Sequence, residues 1–144
     1  MSKWKNDGLQ VAEYEYDFAV HGGVVNTDIE ISSANTRLPI GAIIIDCHIR
    51  VDTAVVGTSS TLGIGNVTDN DGYIPATAEA TLAANYVGSA AKNKGALLWD
   101  DTNDNLLPYR VADADKSKVI ARIGTANLTA GVVKVMISFL NPTA

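Results

Sequence analysis

This chain of 144 residues has a single cysteine and little charge of either sign. Cys47 has no second cysteine to pair with, so an intrachain disulfide framework is excluded. Lysine and arginine number 11 against 16 aspartate and glutamate residues, a balance of −5 that provides no basic field for nucleic acid. No apolar run approaches the roughly 20 residues that a membrane helix needs. We therefore expect neither nucleic acid nor a membrane as a partner.

Aromatic residues are also scarce, at 6% of the chain, so one domain of this size must fill its core mainly with aliphatic side chains. Val, Ile and Thr together number 38, and these β-branched residues favour strands. Only 4 of the 16 acidic residues are Glu, whereas Asp, Asn and Gly are frequent, which favours turns over long helices. The composition therefore predicts an all-β protein.

Strict alternation of apolar and polar residues is clearest in two segments, 42–51 and 132–140. Such alternation is typical of a strand with one buried face. In the first segment we expect Ile43, Ile45, Cys47, Ile49 and Val51 to face inward and Asp46, His48, Arg50 and Asp52 to face outward. In the second we expect Val133, Val135, Ile137 and Phe139 inward and Lys134, Met136 and Ser138 outward.

The segment 11–31 is typical of a β-hairpin. Its first part, 11–20, alternates strictly, and 24–31 resumes the strand pattern after the glycine-permitted turn His21-Gly22-Gly23. The inward face of the first strand is expected to carry Ala12, Tyr14, Tyr16, Phe18 and Val20.

The rest of the chain predicts further short strands separated by polar turns. Strands are indicated at 61–67 and 118–123, a second hairpin at 96–111 around the polar loop 100–105, and turns at 69–72 and 127–131. Between 75 and 91 the alanine-rich stretch 76–84 favours one short helix, although a loop excursion fits as well.

About eight strands at near-regular spacing, with at most one short helix, predict an antiparallel, jelly-roll-like β-sandwich. Residues 1–10 have no periodicity and no apolar segment of a secretory signal, so we expect an arm ahead of a single sandwich domain at 11–144.

The residues offer little for catalysis or metal binding. His21, His48 and Cys47 are the only nitrogen and sulfur candidates for zinc, and Cys47 and His48 should point to opposite faces of one strand, which excludes a catalytic dyad. The acidic loops at 69–71 and 100–104 suggest solvated Asx turns or a weak calcium site, because their spacing does not match an EF-hand. We expect no enzyme and no cofactor.

Two groups of residues are candidates for contacts with other proteins. In the arm, Lys3-Trp4-Lys5 places a large apolar side chain between two positive charges, a common type of interface anchor. The outward residues Asp46, His48 and Arg50 carry charges of both signs, which could pair across a subunit boundary or form a solvated face. We expect a homo-oligomer, most simply a trimer.

Three segments together resemble small structural proteins of tailed-bacteriophage virions, of the capsid decoration or cement type. They are Tyr14-Glu-Tyr-Asp-Phe-Ala-Val-His-Gly-Gly23, Leu38-Pro-Ile-Gly-Ala-Ile-Ile-Ile-Asp46 with Val51-Asp-Thr-Ala-Val55, and Asn127-Leu-Thr-Ala-Gly-Val-Val-Lys-Val-Met-Ile-Ser-Phe-Leu140.

The resemblance implies an all-β, non-enzymatic protein that is made in the host cytoplasm and attached to the surface of a phage capsid. Its partners would be the major capsid protein and other copies of itself, and the arm would help to attach it. The alternative is a receptor- or glycan-binding module of a phage tail or head fibre. Such a module needs exposed aromatic platforms, for which the candidates are Tyr73, Tyr86, Trp99 and Tyr109.

Overall fold

Eleven strands and two four-residue helices make up the part of the chain that the computed structural model describes, residues 9–141. Three of these strands have only two residues, and the other eight have three or more. Neither helix comes near the length of a bilayer crossing. The elements are β1 Leu9–Asp17, α1 Phe18–His21, β2 Asp28–Glu30, β3 Ile43–Gly57, β4 Thr61–Gly65, β5 Ile74–Ala78, β6 Val87–Ser89, α2 Ala90–Asn93, β7 Trp99–Asp100, β8 Asn105–Leu106, β9 Tyr109–Arg110, β10 Ile120–Gly124 and β11 Leu128–Leu140.

The eight longer strands form two antiparallel sheets in the order of a jelly roll. The first sheet has the order β1-β11-β3-β6, with β9 also paired to β3, and the second has the order β2-β10-β4-β5. When only the longer strands are numbered, these orders become 1-8-3-6 and 2-7-4-5, so the chain repeatedly crosses from one sheet to the other. The predicted all-β antiparallel sandwich with about eight main strands is confirmed.

The two sheets bury one common core of aliphatic and tyrosine side chains. Val51 and Val133 of the first sheet and Ile123 of the second are fully buried within it. Tyr16 and Tyr73 are also fully buried and supply the largest side chains of the core. Because aromatic residues are scarce in this chain, the rest of the core is filled by closely packed β-branched and other aliphatic side chains.

The longest strands follow the predicted alternation, with one local reversal. In β11, Val133, Val135, Ile137 and Phe139 are buried, as predicted. In β3, Cys47, Ile49 and Val51 are buried as predicted, but Ile44 is fully buried whereas Ile43 and Ile45 are only partly buried. The prediction for Ile43 and Ile45 is wrong because a bulge shifts the register of β3 against β11 between Asp46 and Ile44, and one extra residue reverses the faces.

The predicted hairpin at 11–31 is wrong. β1 pairs along its whole length with β11, whereas β2 pairs with β10 in the other sheet. Between them the chain forms α1, where the Asp17 side chain accepts a hydrogen bond of 2.9 Å from the Ala19 N–H and Val20 is 75% exposed, not inward. Consecutive first strands of a jelly roll belong to opposite sheets, so the glycine-rich turn serves a crossover.

The helix favoured at 76–84 does not form. Strand β5 ends at Ala78, and turns follow it. β5 pairs with β4; its first residue, Ile74, is buried, and Ala76 and Ala78 are exposed. The second helix, α2, lies later, where the Ser89 hydroxyl accepts from the Lys92 N–H. Alanine has a high helix propensity but a small side chain that also fits a sheet, so pairing with β4 overrides the local preference.

Two predicted turns differ in outcome. At 69–72 the Gly72 N–H donates to the Asp69 carbonyl at 3.1 Å, so this turn is confirmed. The second hairpin is confirmed where β7 pairs with β8 around the polar loop, but the end of its predicted second strand, β9, pairs with β3 instead. The turn predicted at 127–131 is wrong because β11 already begins at Leu128 and accommodates the segment by shifts in register. Gly131 in this segment has a φ of 146°, a backbone conformation that residues with a Cβ atom rarely adopt.

A bidentate ion pair fastens the end of β2 to the following loop. Arg37 Nε and Nη2 donate to the two carboxylate oxygens of Glu30 at 2.9 and 3.0 Å. The Ser32 hydroxyl also donates to Glu30 and accepts from the Val119 N–H. The hydrogen bond from Arg37, followed by that from Ser32, lowers the pKa of Glu30.

Replacing Glu30 by glutamine should therefore destabilise the fold at neutral pH and not in acid. A carboxyl whose pKa is lowered by folding stabilises the folded state above its unfolded pKa, and the contribution is lost as the pH falls through the folded pKa. We expect less than a tenfold change in the unfolding equilibrium constant at pH 7, because the pair is partly exposed. Urea unfolding of both proteins from pH 7 towards pH 3 measures this. A difference that stays constant over this range would contradict it, and Asp101→Asn in the polar loop is the control.

Candidate functional site: the outer face and free edge of the first sheet

The side chains of the first sheet that point away from the core form a charged surface, which we call the outer face. The strand register places Glu15, Lys134 and Arg50 in one row across β1, β11 and β3. The next row contains Glu13, Met136 and His48. These residues lie on the outer face because every second residue of a pleated strand points away from the core.

Asp46, His48 and Arg50 all lie on the outer face, where the alternation predicts them. Asp46 and His48 approach one another, with 3.7 Å between Oδ2 and Nε2. Arg50 Nε donates to Asp52 Oδ1 at 2.8 Å, and this bond lowers the pKa of Asp52. The side chains of His48 and Arg50 remain 45% and 54% exposed, so each keeps surface for further contacts.

The charges of the outer face are matched mainly within the chain. Lys134 forms an ion pair with Glu15, and the resulting hydrogen bond raises the pKa of Lys134. Arg50 is paired with Asp52. The Glu13 side chain makes no hydrogen bond or ion pair to any residue in the range 9–141, although its charge acts on Arg50. This face therefore has the mixed charge of a contact surface or a solvated sheet.

Beside the outer face, β1 ends the first sheet and leaves one long side without a neighbouring strand in the described sheet; we call this side the β1 edge. An open depression of about 360 Å³ lies along it. The Tyr14 hydroxyl donates to the Thr36 carbonyl at 2.6 Å, and burial raises the pKa of Tyr14 to about 12, so it stays a neutral donor. The depression is lined by Glu13, Tyr14, Glu15, Ile31, Thr36 and Lys134.

The sequence does not predict the β1 edge, because the hairpin expected at 11–31 would pair β1 with the segment that follows it. The signal that could have found it is the jelly-roll order itself, which puts the first strand at the end of a sheet. The other candidates, Lys3, Trp4 and Lys5, lie outside the described residues. Leu9 and Gln10, counted with the arm in the sequence, belong to β1.

The candidates for chemistry are separated in the structure. Cys47 is fully buried, its pKa raised chiefly by burial, while His48 points to the opposite, outer face, as predicted. His21 stacks on Tyr16 at 5.9 Å between ring centroids.

Within residues 9–141 no three His, Cys, Asp or Glu side chains converge as a metal site. Asp100 accepts from the Thr102 and Asn103 N–H groups, the Asx turn expected there.

Of the four aromatic side chains considered for glycan binding, one is fully buried and three are partly buried. Tyr73 is fully buried and meets Tyr109 edge-on at 6.3 Å between centroids. Tyr86 is partly buried and carries the Lys92 ammonium over its ring at 4.4 Å. Trp99 is partly buried. Tyr73, which is buried, and Tyr86, which has a lysine over its ring, therefore do not offer the open ring face that stacks on sugars.

A comparison with known protein families finds no match for this sequence, and none of the curated proteins matches it either. Solved structures do share its fold. A chain of the structure described as the cyanophage Pam1 capsid asymmetric unit aligns with a TM-score of 0.68, at 16% identity over 99% of this chain and 91% of that chain.

Two further structures support the same similarity. A chain from the acid-stable capsid of Helicobacter pylori bacteriophage KHP30 aligns with a TM-score of 0.57, at 15% identity over 94% of this chain and 90% of that one. A chain from the capsid of Ralstonia phage GP4 aligns with a TM-score of 0.54, at 16% identity over 100% and 92%. At such low identity the likeness establishes a shared fold, over nearly the whole length of both partners.

Proposed function

We propose that this protein is a non-enzymatic structural component of a phage virion, which decorates the capsid surface and stabilises the shell. The observation that carries the proposal is the shared fold with chains of three phage capsid structures, which extends over at least 90% of each of those chains. The resemblance of three sequence segments to decoration and cement proteins points in the same direction.

The arrangement of the surface supports a structural role better than a catalytic one. The depression at the β1 edge is open, and the lysine in its lining, Lys134, is held in an ion pair with Glu15. The outer face carries ion-paired side chains of both signs, which suit a protein interface whose partner offers complementary charge. The receptor- or glycan-binding alternative is less well supported, because Tyr73 is fully buried and Lys92 lies over the ring of Tyr86.

The major capsid protein is the proposed partner, together with other copies of this chain in a homo-oligomer, most simply a trimer. A protein that binds the assembled lattice and not the free subunits stabilises that lattice by its binding free energy at every site. The proposed place of action is therefore the capsid surface, after synthesis and assembly in the host cytoplasm.

Particles that lack this chain should disassemble at a lower temperature than complete particles, because they lose the binding free energy of every copy. The measurement is the temperature of genome release, followed with a DNA-binding dye during heating. Adding the purified protein back should restore the original temperature. Equal release temperatures with and without the chain would overturn the stabilising role and favour adhesion or display.

A further inference from the structure

We propose that the β1 edge binds the N-terminal arm of a second copy of this chain as an additional strand, with Trp4 opposite Tyr14 and with Lys3 and Lys5 beside Glu13 and Glu15. This inference concerns self-association and does not rest on the virion role. It follows from the backbone of β1, the spacing of the charges on it, and the reach of the arm.

The backbone of β1 is a template for another strand. β1 has nine residues and pairs with β11 on one side, while no other strand of the described chain pairs with its opposite side. A long edge of this kind presents a row of N–H and C=O groups that readily accept a further strand. Natural proteins usually shorten or cover such an edge, so a dedicated occupant explains its length.

The side chains along this edge match the arm by their spacing. Glu13 and Glu15 are on the outer face, and Tyr14 between them points to the other side, where it is only 6% exposed. In an extended arm the residues also alternate, so Lys3 and Lys5 share one face and Trp4 the other. With Trp4 opposite Tyr14, the two lysines face the two glutamates whether the arm runs parallel or antiparallel to β1.

The charges and the apolar surface are also complementary. Glu13 has no ion pair within residues 9–141, and Glu15 shares only Lys134, so two additional cations are accommodated. The depression beside Tyr14, with Ile31 and Thr36 in its lining, offers a surface of mixed polarity for an indole ring. In the first part of β1, Leu9 and Val11 are 64% and 58% exposed, and a second chain along β1 would cover them.

Within one chain, an antiparallel hairpin with Trp4 opposite Tyr14 would have to reverse direction around Leu9. Leu9 is part of β1 and lies opposite Leu140. A parallel arrangement would need a crossover of about a dozen residues or more, which the segment between Trp4 and Leu9 cannot supply. In this register the proposed occupant is therefore the arm of a second copy.

Sedimentation velocity of the full chain tests the proposal. The protein should form a dimer by reciprocal exchange of arms, or a closed ring of three, at micromolar concentration. Glu13→Lys with Glu15→Lys should leave a folded monomer. Asp101→Lys with Asp115→Lys changes the net charge equally on exposed loops and should leave association intact. Trp4→Ala should raise the dissociation constant about 30-fold, the scale of an interface hot spot.

A charge exchange gives the decisive comparison. Lys3→Glu with Lys5→Glu should also yield a monomer, and its mixture with the Glu13→Lys, Glu15→Lys protein should associate again, because the arm of one then meets the edge of the other. A monomeric wild-type chain, or association that none of these changes weakens, would overturn the proposal. A monomer that still binds particles would overturn it too, since a capsid segment would then be the candidate for the β1 edge.

Discussion

Replacing Ile137 by alanine is expected to lower the free energy of unfolding by about 4 kcal/mol, a large part of the stability of a domain of this size. Ile137 is fully buried in β11, the strand between β1 and β3, where it lies opposite Ala12 and Cys47. Truncation removes the transfer free energy of three carbons and leaves a cavity in a sheet that is held on both sides and cannot collapse around it.

Urea unfolding followed by circular dichroism measures this effect. Met136→Ala in the same strand is the matched control, because Met136 points to the outer face and its loss should cost about 1 kcal/mol or less. Ile137→Val should cost about 1 kcal/mol, since it removes a single methylene. If Ile137→Ala and Met136→Ala were equally mild, the assignment of faces in β11 would be wrong.

Replacing Asn66 by alanine is expected to cost about 3 kcal/mol of unfolding free energy, although the residue is polar. Asn66 is fully buried, and its Oδ1 accepts from the Thr68 and Asp69 N–H groups, each at 2.9 Å. Its Nδ2 donates to the hydroxyl oxygens of Tyr109 at 3.1 Å and of Tyr73 at 3.4 Å. Alanine would leave these four groups without the partner around which the turn after β4 is built.

Thermal and urea unfolding of Asn66→Ala should be compared with Asn103→Ala, which removes an exposed amide from the Asp100 turn and should change stability by less than about 0.5 kcal/mol. A double-mutant cycle with Tyr73→Phe isolates the buried contact. Asn66→Ala should cost less when the Tyr73 hydroxyl is already gone. Strict additivity of the two changes would show that the hydroxyl and the amide do not act together.

The elements that the sequence predicts correctly are those whose pattern is set within the strand. The alternation in β11 and the burial of Cys47, Ile49 and Val51 follow from the period of two alone. The turn at 69–72 follows in the same way, because Asp and Gly favour tight turns wherever they occur. The composition, rich in β-branched residues, similarly suffices for the fold class.

The failed predictions all concern relations between distant segments. The glycine-rich turn after β1 permits a hairpin, but the pairing of β1 with β11 joins residues more than a hundred positions apart, which no local pattern reveals. The bulge near Ile45 results from fitting β3 to β11, and it reverses the burial of Ile43 to Ile45. The alanines of 76–84 became strand and turn because β4 required a partner there.

The features of the candidate site also fall into those set by local alternation and those set by strand pairing. Alternation alone placed Asp46, His48 and Arg50 on an outward face, and it equally separated Cys47 from His48. The ion pair between Lys134 and Glu15, and the β1 edge beside it, depend on which strands are neighbours. By itself the sequence determined the longest strands, the faces of most of their residues and the fold class, because side-chain periodicity is a local property. Only the tertiary structure decided the partners of each strand and thus the edge left open, because pairing is settled by how the two sheets together bury one core.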